Sequence, residues 1–198
     1  MSKTNLAVKP KTYTDEEYLA FEREAEEKHE FFDGEIIQMA GASREHNLIG
    51  LNAATEIRFQ LKGKDCESYA NDMRVRMKTG RYGYPDVVVV CGTPEFADDE
   101  FDVLLNPTIV VEVLSKSTRF RDKNEKLIAY QKMESLRECL LIEQTEPRVE
   151  HYIKQTPKQW ILKIYEDLDE TVTLESINCR ISLADIYAQI EFNSEIEK

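Results

Sequence analysis

The chain has 198 residues, and 38 Asp and Glu against 26 Lys and Arg give a formal net charge of −12. With 41% hydrophobic and 32% charged residues, the composition supports a packed core beneath a well-solvated surface. It argues against disordered, collagen-like and disulfide-scaffold proteins. No apolar run approaches the ~18 residues that a membrane helix needs. The acidic balance opposes a general nucleic-acid coat but leaves room for a local basic site.

The start of the chain and its cysteines indicate a cytoplasmic protein. Residues 1–11 contain basic side chains but no apolar segment, so we expect a flexible start without a secretory signal. The four cysteines are dispersed, with no C-x-x-C pair and no nearby His, which favours reduced buried thiols over a disulfide or zinc framework. They are Cys66, Cys91, Cys139 and Cys179. Without repeats or Gly/Ser-rich linkers, residues 1–198 are predicted to form a single domain.

Helix and turn signals organise the first third of the chain. Thr14 and the acids after it predict a capped helix running to about Glu26. Asp33 and Gly34 lie between two apolar runs, a strong hairpin signal. Ser43 then caps a longer helix that ends before Gly63. The predicted core face of that helix consists of Leu48, Leu51, Ala54, Ile57 and Leu61.

The middle of the chain alternates strands with one helix. Residues 66–78 alternate in polarity, which predicts one half-buried strand with Met73, Val75 and Met77 facing inward. YPDVVVVCG and PTIVVEVLS are typical of strands buried on both faces, and the acidic stretch between them predicts a solvated loop. Ser117 or Thr118 can cap a helix, and RECLLIEQ predicts another buried strand. Residues 44–143 therefore predict the order αβββαβ in an α/β fold with a mixed sheet.

The last fifty residues predict an antiparallel extension. VEHYIK, WILKIYE and TVTLES are typical of short strands joined by turns. SLADIYAQI, which begins at Ser182, predicts a small capped helix.

Two carboxylates interrupt strands that otherwise look fully buried: Asp86 ahead of VVVV, and Glu112 inside IVVEVL. Such charges are normally paired or metal-bound, because desolvation costs several kcal/mol per ion. Asp86 alone could bond nearby backbone at a strand entrance, and Glu112 alone could pair with a Lys or Arg. On neighbouring strands, however, the two would repel each other without a divalent cation. The pattern therefore favours a hard-metal site.

Two consecutive motifs are distinctive: YPDVVVV and NPTIVVEVLSKSTRFRDKNEKLIAYQKM. With EFFDGEIIQMAGASREHNLIGLN and RECLLIEQTEPRVEHY, they resemble the Uma-two family (domain of unknown function 820), a branch of the PD-(D/E)XK nuclease superfamily. The resemblance covers roughly residues 12–152. It implies a restriction-endonuclease-like αβββαβ core with helices flanking a mixed sheet, after an N-terminal helix and hairpin. It also implies that Asp86 belongs to the PD element and Glu112 to the (D/E)XK element, both as metal ligands.

The expected superfamily Lys is absent, since Leu114 stands two residues past Glu112. The resemblance includes an E-K on the following helix, so Lys126 is the candidate for a migrated catalytic Lys. Without the resemblance, Lys126 and Asp122 would look like an ordinary exposed i,i+4 pair. Lys116 is a rival, but four residues of extended strand place it about 13 Å from Glu112, too far for the same metal water.

Three accessory residues are weaker candidates. Glu35 in DGEII and His46 in SREHN stand out in the family pattern and could enter the outer shell of the metal. A His in the first turn of a helix is more often a cap or surface residue, and a Glu beside a tight turn is usually solvated. Asp122 is kept because of its spacing from Lys126.

Two basic segments could contact phosphates. SKSTRFRDKNEK has five basic and two acidic residues, a local net charge of 5 − 2 = +3, and a second segment spans residues 74–81. Both adjoin the elements that contain the two carboxylates, a placement that suits phosphate contact. The predicted nucleic-acid contacts are Lys116, Arg119, Arg121, Lys123, Arg74 and Arg76.

The predicted function is metal-assisted hydrolysis of phosphodiesters by an endonuclease. Asp86 and Glu112 would hold Mg²⁺, with Mn²⁺ as a substitute, and Lys126 would orient the water or stabilise developing charge. The expected partner is nucleic acid, DNA foremost, with a homodimer left open and no membrane. Two alternatives remain: a catalytically inactive nucleic-acid-binding relative, favoured by Leu114 and the charge of −12, and a protein-interaction domain that retains the fold.

Overall fold

The structure, a computed structural model, describes residues 12–77 and 80–192. Two helices precede the middle of the chain, α1 (Asp15–Glu24) and α2 (Arg44–Gln60). A third, α3, begins with Arg119–Arg121, continues through a π-helical turn at Asp122–Lys126 and ends with Leu127–Gln131. The described strands, numbered in chain order, are β1 (His29–Phe32), β2 (Glu35–Gln38), β3 (Cys66–Ala70), β4 (Arg74–Met77), β5 (Arg81–Gly83), β6 (Val87–Cys91), β7 (Val103–Leu104), β8 (Ile109–Leu114), β9 (Glu138–Glu143), β10 (Val149–Thr156), β11 (Gln159–Tyr165), β12 (Thr171–Leu174) and β13 (Cys179–Ser182).

The valine-rich segments form the centre of a six-stranded mixed sheet with the order β11-β10-β9-β8-β6-β3. The strands β3, β6 and β8 pair antiparallel, whereas β9 joins β8 in parallel after the crossover through α3. Preceded by α2, these strands confirm the predicted order αβββαβ. The strands β10 and β11 extend the same sheet antiparallel, as the sequence predicts.

Helix α2 covers one face of this sheet. Ser43 caps it by accepting a hydrogen bond from the His46 backbone N–H, and Gly63 follows its end with a φ of +81°. Its buried face consists of Ile49, Ala53, Ile57 and Leu61 packed on the strands. The prediction that Leu51 belongs to this face is wrong, since its side chain is 60% exposed.

A second sheet and helix α3 cover the other face. The five strands have the order β2-β1-β5-β4-β7. The predicted hairpin is confirmed, because β1 pairs antiparallel with β2 across Asp33 and Gly34, which have φ values of 50° and 90°. Positive φ at both central residues is the requirement of a type I′ turn. The Thr14 capping box of α1 is also confirmed, although the helix ends at Glu24.

The single strand predicted for residues 66–78 is two strands in different sheets. The strand ends before Asn71, where the backbone turns with a φ of 62°. The Asn71 backbone N–H donates a hydrogen bond to the Asp86 carbonyl oxygen. Val75 and Met77 are buried at alternate positions of β4, so the alternation of polar and apolar residues continues past Asn71. The pattern therefore did not indicate that the strand ends there. Lys78, the end of the predicted strand, lies outside the described residues.

The predicted helix after β8 is present but irregular. Thr118 occupies its N-cap position without a side-chain cap bond, and the π-helical turn inserts at residues 122–126. Further on, the predicted strand β12 pairs antiparallel with β13. The sequence pattern did not predict β13. The predicted Ser182 cap is confirmed on the short helix Leu183–Ile186.

The four cysteines are not all thiols. Cys66 and Cys91 face each other across the β3–β6 pairing and form a disulfide. The expectation of four reduced thiols is therefore wrong for this pair, because only the strand register brings together residues that are 25 positions apart. Cys139 and Cys179 are free and buried, as expected.

Two further expectations concern the ends of the chain and membranes. The predicted flexibility of residues 1–11 lies outside the described residues. Within the described ranges, no helix is long and apolar enough to cross a membrane.

Candidate active site

The pairing of β6 with β8 brings the two interrupting carboxylates together. Val87 faces Val111 in this antiparallel pair, so Asp86 and Glu112 occupy the next facing positions. Asp86 stands just before β6, whereas Glu112 lies within β8 and is 4% exposed. Because the sheet is covered on both faces, both carboxylates meet their partners within the protein.

Asp86 is held by a backbone amide and a histidine. Its Oδ2 accepts a hydrogen bond of 2.6 Å from the Val113 N–H, and its Oδ1 lies 2.8 Å from His46 Nε2. His46 reaches Asp86 from the first turn of α2. Burial acts to lower the pKa of His46, but the hydrogen bond and charge of Asp86 outweigh it and raise that pKa above its ordinary value.

Glu112 is held from helix α3. Its Oε1 accepts a hydrogen bond of 2.7 Å from the Tyr130 hydroxyl and lies 2.7 Å from Lys126 Nζ. Burial raises the pKa of Glu112 well above its ordinary value, and the nearby carboxylates act in the same direction while Lys126 opposes them. A bound cation would favour the ionised form of this carboxyl group.

Lys126 lies at the centre of the cluster and is 3% exposed. Its Nζ is 2.9 Å from Glu30 Oε1 and 3.3 Å from Asp122 Oδ1, besides the contact with Glu112. Burial acts to lower its pKa, yet the surrounding Glu112, Glu30, Tyr130 and Asp122 raise that pKa well above its ordinary value. The pair of Lys126 and Asp122 is therefore buried, unlike the exposed helix pair considered from the sequence.

The π-helical turn spans Asp122 and Lys126, the two helix residues that converge on this cluster. Single π-helical turns inside α-helices are frequent at functional sites. Tyr130 lies four residues further along the same helix. The side chains at positions 122, 126 and 130 thus recur at four-residue spacing on the side of α3 that faces β8.

Sequence reasoning missed Glu30 and Tyr130. Glu30 comes from β1 of the second sheet, 96 residues before Lys126, and nothing local distinguishes it from the other acids around it. Its Oε1 forms an ion pair with Lys126 Nζ. Among the described residues, this oxygen accepts no hydrogen bond of regular geometry. Tyr130 could have been found from its four-residue spacing to Lys126.

Other predicted residues do not join the cluster. Glu35 is exposed on β2. The carboxylate that the hairpin brings to Lys126 is that of Glu30 on β1. Lys116 is exposed beyond the end of β8. Leu114 is buried in the apolar core beside α3. The position where the superfamily has its Lys is therefore part of the hydrophobic core in this protein.

The predicted phosphate contacts differ in availability. Arg119 pairs with the buried Glu143, and Lys123 pairs with Glu143 and Glu150 at 3.1 and 2.8 Å. Arg121 lies at the weaker distance of 3.8 Å from Glu30. Part of the basic charge of this segment is therefore neutralised within the protein.

The second basic segment splits between interior and surface. Arg76 is exposed. The prediction that Arg74 contacts nucleic acid is wrong, because Arg74, the first residue of β4, is only 5% exposed. Its Nε donates a hydrogen bond of 2.8 Å to the Tyr84 hydroxyl, and its guanidinium lies over the rings of Tyr18 and Tyr84.

The chemistry of the cluster fits a hard divalent cation. Three carboxyl groups, from Glu30, Glu112 and Asp122, contact the one Lys, and a fourth, from Asp86, faces Glu112 across the β6–β8 pair. Within the described residues, no three His, Cys, Asp or Glu side chains are arranged as a ready metal-binding group. Mg²⁺ commonly needs only one or two protein carboxylates, with waters filling its other positions. Asp86 and Glu112 meet that requirement.

The αβββαβ core with Asp86 and Glu112 at its centre defines a restriction-endonuclease-like fold. The crystal structure of a protein described as a "putative nuclease belonging to DUF820", from Anabaena variabilis, has this fold with a TM-score of 0.71. The two sequences are 20% identical, and the match covers 88% of this chain and 97% of that one.

Sequence comparison identifies the family. The family model "Uma2: Putative restriction endonuclease" matches residues 15–184, and the chain therefore belongs to the Uma2 family. An uncharacterized protein of Synechocystis sp. is 40% identical over 153 residues, covering 77% of this chain and 86% of the relative. A second uncharacterized protein of that organism is 34% identical over 178 residues, covering 89% and 92%.

Proposed function

We propose that this protein is a Mg²⁺-dependent endonuclease that hydrolyses phosphodiester bonds, with DNA as the substrate. The observation that supports this most directly is the position of Lys126 Nζ, 2.7 Å from Oε1 of Glu112, the carboxylate that faces Asp86 across the β6–β8 pair. An acidic pair on adjacent strands can hold the metal ion, and an ammonium group beside it can stabilise charge that develops during phosphodiester hydrolysis.

Each residue of the cluster has a distinct part in the proposed reaction. Asp86 and Glu112 would hold Mg²⁺, or Mn²⁺ in its place. When bound, the ion supplies positive charge that activates a water molecule and stabilises charge developing on the phosphate. Lys126 would donate hydrogen bonds that orient this water or stabilise the same charge.

The residues around this core would fix its geometry. His46 and the Val113 amide hold the Asp86 carboxylate from two sides. Tyr130 donates a hydrogen bond to Glu112 Oε1, and Glu112, together with Glu30 and Asp122, raises the pKa of Lys126 and so favours its protonated form. Such supporting contacts commonly orient the ligands of metal sites.

Substrate binding would depend on the basic residues that remain exposed. Lys116 and Arg76 are exposed, and Arg121 is only weakly engaged by Glu30. We propose that they contact phosphates flanking the scissile bond, with Arg119 and Lys123 contributing less because they pair with Glu143.

The proposal includes a single domain in the cytoplasm. Disulfides are rare in cytosolic proteins, so the Cys66–Cys91 disulfide counts against this compartment.

Cleavage of supercoiled plasmid in Mg²⁺, compared with cleavage in EDTA, tests the proposal. We expect nicking by the parent protein in Mg²⁺ or Mn²⁺ and none in EDTA or with Asp86→Asn. Glu100→Gln is the matched control, since it neutralises an exposed carboxylate of the acidic loop. Salt-dependent DNA binding without cleavage would indicate an inactive nucleic-acid-binding relative, and no binding at all would indicate a protein-interaction domain.

A further inference from the structure

Among residues 12–77 and 80–192, strand β11 is an apolar edge of the main sheet with no further strand beside it. It pairs with β10 on one side and ends the strand order on the other. Ile161 lies on one face of the strand, and Leu162 and Ile164 lie on the other. Their side chains are 43%, 45% and 44% exposed. A seven-residue edge strand with such side chains presents unpaired backbone groups and apolar surface together, which is the condition for pairing with another strand.

The sequence of β11 is compatible with antiparallel pairing to a second copy of itself. Residues that face each other across an antiparallel pair lie on the same face of the sheet. In a symmetric pair of identical strands, one residue must therefore face its own copy, and the two-fold axis passes between those two residues. Three registers keep most of the strand paired, with the axis at Ile161, Leu162 or Lys163. They differ in the charges that they bring together.

Only the register centred on Leu162 is complementary in both charge and apolar contact. Lys158 and Glu166, the exposed residues that flank β11, then face each other at both ends of the paired segment, and Glu166 also contacts Arg148 of its own copy. Trp160 faces Ile164, an aromatic and β-branched pair of the kind that stabilises sheets. With the axis at Lys163, two lysines would face each other directly. With the axis at Ile161, neither lysine would face a carboxylate, because Lys158 would face Ile164 and Lys163 would face Gln159.

We infer that β11 is the interface of a symmetric homodimer, in which the β11 strands of two copies pair antiparallel about Leu162. The two six-stranded sheets then form one continuous sheet. The interface pairs the exposed backbone edge and brings the side chains of Ile161, Leu162 and Ile164 into cross-strand contact with the second copy. Asp86 and Glu112 lie at least three strands from the interface, so this inference does not depend on the proposed function.

Disulfide trapping tests the register directly. At the two-fold axis the Leu162 Cα atoms would be about 4.5–5.5 Å apart, within the range of about 4.4–6.8 Å that a disulfide spans. Leu162→Cys should therefore form a covalent dimer on mild oxidation. Ile161→Cys alone should not, because its two copies would be diagonal neighbours at about 7–8 Å. A mixture of Ile161→Cys and Lys163→Cys chains should crosslink, since those residues face each other.

Sedimentation of uncrosslinked protein tests the dimer itself. The parent should be dimeric, and Leu162→Lys should raise the dissociation constant by a factor of at least about ten, because it places like charges at the axis. Its unfolding temperature, extrapolated to low protein concentration, should match that of the parent, since Leu162 is exposed. A monomeric parent at the highest attainable concentration would overturn the inference. So would crosslinking of Ile161→Cys alone with none for Leu162→Cys.

Discussion

Lys126 Nζ lies 2.7 Å from Glu112 Oε1, although Glu112 is in the middle of strand β8 and Lys126 is in the π-helical turn of α3. The strand position two residues past Glu112 is occupied by Leu114, which packs in the core. The helix therefore places an ammonium group beside the carboxylate from another direction. Burial of both groups strengthens their Coulomb attraction and adds a desolvation cost to each, so loss of one partner would leave the other buried without compensation.

Metal binding should stabilise the fold through Asp86 and Glu112. A ligand that binds only the native state adds about 2.7 kcal/mol to the free energy of unfolding at a hundredfold excess over Kd. We expect Mg²⁺ or Mn²⁺ to raise the melting temperature of the parent, and Asp86→Asn and Glu112→Gln to remove that increase. Differential scanning calorimetry with and without metal measures the effect. Glu100→Gln should respond like the parent, and an unchanged response in both site variants would place the metal elsewhere.

DNA affinity should fall steeply with salt, in proportion to the number of phosphates contacted. For duplex DNA each contact contributes about 0.9 to the slope of log K against log salt. Lys116→Ala and Arg121→Ala should each lower the slope by about one unit. Arg119→Ala should lower it less, because Arg119 pairs with Glu143. Fluorescence anisotropy across a salt series measures the slopes, and Arg180→Ala, an exposed arginine on β13, should leave the slope unchanged.

The buried pair of Glu138 and His151 should make stability depend on pH. Glu138 Oε2 lies 2.5 Å from His151 Nε2, and its Oε1 accepts a hydrogen bond of 2.7 Å from the Ser176 N–H. Burial acts to raise the pKa of Glu138, but these hydrogen bonds outweigh it and lower that pKa below its ordinary value of 4.5. A lowered pKa in the folded state adds stability above the ordinary value, and this is lost as the pH falls through the folded value.

Glu138→Gln should therefore cost about 1–3 kcal/mol of unfolding free energy at neutral pH, as expected for hydrogen bonds to a charged group. The difference from the parent should shrink as the pH falls below 4.5. Urea unfolding across a pH series measures it. A difference that stays constant down to the acid transition would show that the charge of Glu138 contributes nothing.

Local signals predicted the elements that local chemistry determines. The Asp33–Gly34 turn and the Thr14, Ser43 and Ser182 caps depend on a few neighbouring residues. Asp86 and Glu112 were predicted to be neighbours because each interrupts an apolar strand, and the β6–β8 register places them opposite each other.

The remaining features depend on contacts between distant segments. Glu30 reaches Lys126 only because the second sheet packs against α3, and the Cys66–Cys91 disulfide depends on the β3–β6 register. The break at Asn71 sends β4 into the second sheet, where Arg74 becomes buried among aromatic rings. Period-two alternation is the same on either side of this break, so polarity alone could not separate the two strands.

Single-turnover cleavage at saturating Mg²⁺, comparing Lys126→Ala with Lys116→Ala, tests the central claim most directly. If Lys126 acts on the water or on the developing charge, Lys126→Ala should slow the cleavage step by about 10²–10³, the scale for removing one such donor. Lys116→Ala should weaken DNA binding and leave this rate within a few-fold of the parent. Circular dichroism should establish that both variants are folded. A large loss for Lys116→Ala, with Lys126→Ala near the parent rate, would contradict the account.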